Sequence, residues 1–296
     1  MSNEMRFMTH DIKSSIKTFI KILRKYPSSI VGLIIIIGYA VMASIGPILL
    51  PYDSSPKIQD RFLPPSLQHP LGTDFAGRDN LAQIVHGSRD VLTVAILTAS
   101  ITVIIAFSIG IFSGYIGGRI DTVLTTIMDI FLIIPSFPLL VIVAASVPRA
   151  LTAVEIAFVI SLVGWAGLAR AIRSQVLAIK RSAFIEAARC LGLSSSKIVF
   201  GEILPNLMPY VAMNLILSII GAVYSQVGLY FLGLLPFTTM NWGMMINIAM
   251  QQSALINPKA WPYLLSPIGA IILLQTGFIL FMSALEEIFN PRLRTE

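Results

Sequence analysis

Six long runs of apolar residues constrain this chain more than any other feature of its sequence. A bilayer core about 30 Å thick needs roughly 20 residues of apolar helix, because each residue adds about 1.5 Å. The runs cover 30–50, 91–112, 122–147, 153 to about 170, about 207–235, and 264–285. The sequence therefore predicts an all-α membrane protein with six transmembrane helices.

Composition excludes the main alternatives to a membrane protein. Hydrophobic residues make up 55% of the chain and charged residues only 12%, against about 25% charged residues in an ordinary soluble domain. This composition excludes a soluble globule, a disordered chain and a nucleic-acid-binding domain. The single cysteine, Cys190, excludes an intrachain disulfide.

The lysines and arginines predict the orientation of the chain. With the N-terminus inside, 15 of the 21 basic residues lie on the cytoplasmic side and 6 lie outside. Cytoplasmic loops are enriched in Lys and Arg, so the sequence predicts that both termini are inside (N-in/C-in). The same asymmetry accounts for the net charge of +6 without a nucleic-acid partner.

The runs divide the chain into segments with different expected roles. We expect a cytoplasmic amphipathic N-terminal segment (1–29), a first transmembrane helix (30–50), an extracytoplasmic segment (51–90), a five-helix core (91–285) with a cytoplasmic loop (174–205), and a cytoplasmic tail (286–296). The alternative for the first run is a signal peptide cleaved near Ala40 or Ala43. Its length, beyond that of a usual signal-peptide core, favours a retained helix.

The second and third runs carry unusual residues. Asp129 lies about two turns inside the third run, where it either pairs with a basic residue or partner subunit, or takes part in transport. Pro135 and Pro138 predict a bend in the same helix. A stripe of small residues in the second run predicts close contact with another helix; its members are Ala106, Gly110, Gly114 and Gly118.

The local structure of the cytoplasmic loop 174–205 can be predicted from its sequence, SQVLAIKRSAFIEAARCLGLSSSKIVFGEILP. Helix-forming residues over 184–191 predict a short helix. Gly192 fits the position after a helix, where a positive φ is needed, and one of the serines that follow can cap a second short helix. Pro205 fits the first turn of the next span. The loop is therefore predicted to consist of a helix, a glycine turn and a second helix that leads into the next membrane span.

This loop resembles the EAA motif of ABC-importer permeases. In that motif Glu-Ala-Ala is followed after three residues by Gly, and after nine more by an aliphatic-x-Leu-Pro ending. The chain departs from it at Glu202, which stands at the first aliphatic position. The residues to which the resemblance gives a role in coupling to an ATPase are Glu186, Ala187, Ala188, Arg189, Gly192, Ile203, Leu204 and Pro205.

Three further segments resemble the peptide/nickel branch of the binding-protein-dependent transport family, the branch of the C-type permeases of dipeptide and oligopeptide transporters. They are HPLGTDFAGRD (69–79), MDIFLIIPSFPLL (128–140) and NPRLR (290–294). The resemblance implies a type I ABC importer fold and half of a pore shared with a second, homologous permease chain. It also implies two cytoplasmic ATPase subunits that bind ATP and Mg²⁺, and an extracytoplasmic binding protein. The implied cargo is short peptides; oligosaccharides and nickel chelates are alternatives.

The residues themselves give no sign of an enzyme. The sequence contains no Gly-Lys-Ser/Thr, so it has no P-loop, and its three histidines are scattered without metal-ligand spacing. We therefore expect no catalytic residues, no metal site and no cofactor in this chain. An ion-driven secondary transporter, the distant alternative, would be expected to carry inverted repeats and charges near the membrane midplane.

Pore-lining residues are the least constrained prediction. The third and fifth spans are the expected contributors. The candidates are Asp129, Gly221, Tyr224, Ser225 and Gln226.

Overall fold

The computed structural model describes residues 26–147, 151–235 and 239–289. These residues are helical apart from connecting segments and one isolated β-bridge. The helices are α1 Pro27–Ser44, α2 Gly46–Leu49, α3 Asn80–Ile116, α4 Gly118–Ile133, α5 Ser136–Ala145, α6 Ala153–Lys180, α7 Ala183–Cys190, α8 Ser195–Ile198, α9 Leu204–Phe231, α10 Trp242–Gln251 and α11 Trp261–Phe289. A π-helical segment, Val199–Ile203, joins α8 to α9.

Five helical stretches are long and apolar enough to cross a membrane, and the pair α4 and α5 makes a sixth if it counts as one span. The predicted all-α protein with six spans is therefore confirmed. The predicted bend in the third span is a break of 85° between α4 and α5. Pro135, immediately before α5, lacks the N–H that would continue the hydrogen-bond ladder. The amphipathic pattern before residue 26 and the closing 290–294 lie outside the described residues.

Two helices end at other residues than the predicted spans. The fourth span, expected to end near residue 170, continues as helix to Lys180, because its polar last turns pair with neighbouring helices. The fifth span ends at Phe231 rather than residue 235. Gly233 has a φ of +70° there, and its N–H donates to the Tyr230 carbonyl, which closes the helix end.

Helices α3 and α6 pack closely along the predicted stripe of small residues. A Cβ added to Gly110 would lie 2.7 Å from the Ala169 carbonyl oxygen, and one added to Gly114 would lie 2.9 Å from Val176 Cβ. Backbones can approach this closely only where a side chain is missing. Three members of the stripe thus behave as predicted, Ala106 being fully buried; Gly118 instead starts α4 with a φ of +59°.

The segment between α2 and α3 is folded. Asp74 is 1% exposed and its Oδ1 accepts the N–H groups of Ala76 and Arg78 at 2.8 and 2.9 Å. His69 Nδ1 lies 2.7 Å from Asp79 Oδ2. The other Asp79 oxygen accepts the Ala82 N–H at 2.8 Å and so caps the start of α3.

The described residues fall into two compact units. In the first, made from 26–39 and 272–289, Gly32 lies so close to α11 that a Cβ would be 2.6 Å from the Gly277 carbonyl oxygen. The Ser29 hydroxyl donates to the Leu280 carbonyl at 2.9 Å. The second unit, 40–271, contains the α3–α6 packing and the loop with the EAA-like sequence.

Candidate functional site

Helix α7, which carries the EAA-like sequence, has one buried and one exposed face. Ile185 is fully buried and Ala188 is 6% exposed, and both belong to a core cluster with residues of α6 and α9. Glu186, Ala187 and Arg189 are exposed. The three and four residue spacing of an α-helix produces this division. The exposed face is therefore free to meet another surface while the other face is held by the spans.

Gly192 ends α7 as predicted. Its φ is +74°, its N–H donates to the Arg189 carbonyl at 2.9 Å, and the next N–H, of Leu193, donates to the Ala188 carbonyl at 3.2 Å. This is the hydrogen-bond pattern of a Schellman motif, which needs a residue in the left-handed region. The glycine turn thereby fixes the direction in which the chain leaves α7.

The second half of the loop anchors it to the membrane helices. Ile198 and Ile203 are almost fully buried in the same cluster as Ile185. Leu204 starts α9, and Pro205 stands in its first turn, as predicted. Ser194 occupies the capping position of α8 but makes no capping hydrogen bond; its hydroxyl lies 3.2 Å from that of Ser196. The buried Ile203 packs inward, so it holds the loop in place.

A partly buried charge cluster, which the sequence did not predict, joins the helices next to the loop. Asp121, in the first turn of α4, accepts from Arg173 Nε and Nη2, both at 2.6 Å. The Ser113 hydroxyl of α3 donates to the same carboxylate at 2.5 Å. The acid at the start of a helix was a visible signal, but its partner is 52 residues away in sequence. The cluster joins α3, α4 and α6.

Asp129 forms an ion pair with Arg170 of α6. The two side chains are 53% and 50% exposed, so both sit on a surface of the chain rather than inside its core. The structure thus supplies the basic partner that the sequence reasoning anticipated as the structural role of Asp129. A carboxylate neutralised in this way is less costly within a membrane than an isolated one.

The three neighbouring pore candidates on α9 have different surroundings. Tyr224 is 57% exposed, and Ser225 lines a cavity of about 300 Å³ together with Gly221. Gln226 is fully buried, and its side-chain amide donates to the Val91 carbonyl at 2.8 Å. In this conformation the Gln226 amide joins α9 to α3, and its place in a pore stays a prediction.

Comparison with known families identifies the chain. A family profile described as the binding-protein-dependent transport system inner membrane component matches residues 106–295. The chain belongs to this permease family. A second profile, the N-terminal TM domain of oligopeptide transport permease C, matches residues 14–65, which places the permease in the C-type branch.

Curated relatives agree with this assignment. The permease is 31% identical to the oligopeptide transport system permease protein OppC of Bacillus subtilis over 268 residues, covering 90% of this chain and 86% of the relative. It is 31% identical to the dipeptide transport system permease protein DppC of the same organism over 276 residues, covering 92% and 84%. OppC of Mycobacterium tuberculosis is 35% identical over 191 residues, covering 63% and 65%. The chain is thus a multi-pass component of the inner membrane and the permease of an ABC transport system rather than its ATPase.

Proposed function

We propose that this permease forms half of a translocation pore for short peptides, together with a second homologous permease chain. Two ABC ATPase subunits bind ATP and Mg²⁺ and drive the pair between inward-open and outward-open states. An extracytoplasmic binding protein delivers the peptide. The support for a peptide cargo is the match to the oligopeptide permease profile and the oligopeptide and dipeptide permeases among the relatives.

The observation that carries this proposal is the two-faced helix α7. Its exposed residues, which include Glu186, Ala187 and Arg189, offer a surface to an ATPase subunit. Its buried residues, Ile185 and Ala188, pack with α6 and α9. Since a close-packed interior transmits displacement, a movement imposed on the exposed face reaches the spans. Gly192 fixes the turn after α7, and Pro205 stands where the loop joins α9.

The alternative cargoes are oligosaccharides and nickel chelates, carried by the same kind of machinery. An ion-driven secondary transporter is less well supported, because Asp129, the acidic residue inside the third span, is paired with Arg170. We also propose the N-in/C-in orientation, which rests on the distribution of the basic residues.

The sole cysteine of the chain gives a direct test of docking and orientation. Cys190 is exposed at the last residue of α7, on the helix proposed to meet the ATPase. In inside-out membrane vesicles carrying the whole transporter, we expect a membrane-impermeant maleimide to label Cys190 slowly. Removal of the ATPase subunits should increase the rate, and intact cells should show no labelling.

The matched control places a cysteine on the opposite side. In the double variant Cys190→Ser with Ser54→Cys, the exposed residue 54 should be labelled in intact cells, and ATPase removal should not change its rate. Labelling of Cys190 from outside would contradict the orientation. Equal labelling with and without the ATPase subunits would contradict docking at α7. ATP-dependent uptake of a tripeptide by the reconstituted complex tests the cargo.

A further inference from the structure

The break between α4 and α5 lies beside a cavity of about 300 Å³ within the second compact unit. Four helices contribute to its wall: α3, α5, α6 and α9. Irregular backbone inside a membrane protein is tolerated where it is covered by protein or lines a polar cavity. Ser136 and Phe137, the first two residues of α5, lie in this wall.

Five hydroxyl side chains line the cavity, which is unusual for a space among apolar helices. They belong to Thr98, Thr102, Ser136, Ser218 and Ser225. Thr98 is 3% exposed, and its Oγ1 is buried without a hydrogen-bond partner in the described part of the chain. An unsatisfied buried hydroxyl carries a cost in free energy. Thr98, a residue of the cavity wall, thus carries a hydroxyl that nothing within the described chain satisfies.

Other hydroxyls on the same helices are satisfied by their own backbone. Ser100 donates to the Ile96 carbonyl at 2.8 Å, and Ser161 donates to the Ala157 carbonyl at 2.7 Å. The usual solution for a serine or threonine in an apolar helix is this bond to the residue four positions earlier. Within the described residues, Thr98 departs from that solution on the cavity side.

The remaining wall residues determine what the cavity can accept. None of the described residues that line it is charged. Gly221 and Gly164 leave room on two sides, since a Cβ on Gly221 would meet nothing within 4 Å and one on Gly164 would meet only Thr102 Cγ2, at 3.9 Å. The wall combines neutral hydrogen-bonding groups with apolar surface. It suits a neutral ligand that both donates and accepts hydrogen bonds.

We infer that this cavity is a contact site for the backbone amides of the transported peptide. The inference rests on the proposed function and adds where, and by which groups, the cargo is contacted. A peptide amide offers one N–H and one C=O per residue, which hydroxyls can match because each both donates and accepts. Without a charged wall residue, the cavity favours neither acidic nor basic side chains of the peptide over the other. The cavity therefore allows many peptide sequences to pass and does not select among them.

The experiment uses the reconstituted transporter with both permeases, the ATPase subunits and the binding protein. The variant Thr98→Val combined with Ser225→Ala keeps the shape of the wall and removes two hydroxyls. We expect uptake of trialanine, and of the same tripeptide with central Glu or Lys, to fall roughly two- to tenfold for each lost hydrogen bond. The fall should be the same for all three peptides.

The control variant Ser100→Ala removes a hydroxyl that is satisfied by its own helix and should keep wild-type uptake. A second pair of variants tests whether uptake needs the open volume of the cavity. Gly221→Val should block uptake, whereas Gly38→Val should not, although neither position has atoms within 4 Å of an added Cβ. Amounts of assembled complex and basal ATP hydrolysis are measured for every variant.

Two results would overturn the inference alone: wild-type uptake by both cavity variants, or a loss confined to one of the three peptides. The latter would show recognition of a side chain rather than the backbone. A wild-type complex that imports none of the three peptides would instead contradict the proposed function, and the inference would fail with it.

Discussion

Gly192 shows how one backbone angle sets the direction of the helix proposed to dock to the ATPase. Its φ of +74° places it in the left-handed region, where a residue with a Cβ is disfavoured by about 1–2 kcal/mol. An added Cβ would meet nothing within 4 Å, so the requirement for glycine here comes from the backbone angle and not from crowding. The effects of the angle and of side-chain size can therefore be separated by mutation.

Replacing Gly192 by valine is expected to uncouple ATP hydrolysis from uptake. A β-branched residue cannot adopt the required φ without strain, so the Schellman turn opens and α7 loses its fixed direction. The measurement is the ratio of peptide imported to ATP hydrolysed in proteoliposomes. Gly192→Asn, which tolerates the left-handed region better than other residues, should retain most coupling. Normal coupling in the valine variant would contradict the role of this turn.

Arg173→Lys tests the charge cluster next to the loop. Lysine cannot reproduce the two parallel hydrogen bonds that the guanidinium makes to Asp121. We expect the free energy of unfolding to fall by about 1–2 kcal/mol, since the cluster is mostly shielded from water. Thermal denaturation of the purified complex measures this change. The same substitution at the exposed Arg181 is the control, and equal melting temperatures for both variants would show that the cluster adds nothing.

At the scale of elements, helices α3 and α6 can pack closely because glycines on α3 carry no side chain at the contact. A Cβ at Gly110 would lie 2.7 Å from the Ala169 carbonyl oxygen and 2.8 Å from Ile172 Cβ. We expect Gly110→Ala to force the helices apart and to destabilise the permease by about 1–3 kcal/mol. Thermal denaturation in detergent measures the loss.

Gly269→Ala on α11 is the matched control for that substitution, because an added Cβ there meets nothing within 4 Å. Alanine is also the better helix former by about 1 kcal/mol, so this variant should be as stable as the wild type or more so. An equally stable Gly110→Ala protein would mean that the helices can separate without loss.

The folded segment between α2 and α3 depends on hydrogen bonds to Asp74. Its carboxylate accepts the N–H groups of Ala76 and Arg78 and the amide of Gln83. Asp74→Ala leaves these three donors unpaired, which we expect to destabilise the segment by about 3 kcal/mol. Limited proteolysis should then cut between residues 57 and 79 much faster than in the wild type.

Asp53→Ala is the comparison for Asp74, because Asp53 is exposed. Hydrogen bonding from Ser55, with Lys57 nearby, lowers the pKa of the Asp53 carboxyl to about 2. A lowered pKa in the folded state stabilises the fold above the ordinary pKa of an aspartate, and this effect is lost as the pH falls towards 2. Since water screens this pair, we expect the substitution to leave proteolysis at neutral pH nearly unchanged. Equal cutting of the two variants would contradict the role of Asp74.

For the whole molecule, the sequence predicted the features that depend on residues close together in the chain. Apolar run length predicted the spans, Gly192 predicted the end of α7 and Pro205 predicted the start of α9, because each acts within a few residues. The Asp121–Arg173 pair could not be predicted, since it joins residues 52 positions apart. The hydrogen bond from Gln226 to Val91 could not be predicted for the same reason, because the two residues lie 135 positions apart.

The 85° break in the third span has a consequence for the biogenesis of the permease. Helix α4 has 16 residues and α5 has 10, so they measure about 24 and 15 Å, and neither alone crosses a hydrocarbon core of about 30 Å. During insertion, α5 cannot remain in lipid as an independent span with the backbone of the break unsatisfied. Because α6 and α9 pack against α5, we expect this region of the protein to be assembled as a group, after both helices have been inserted.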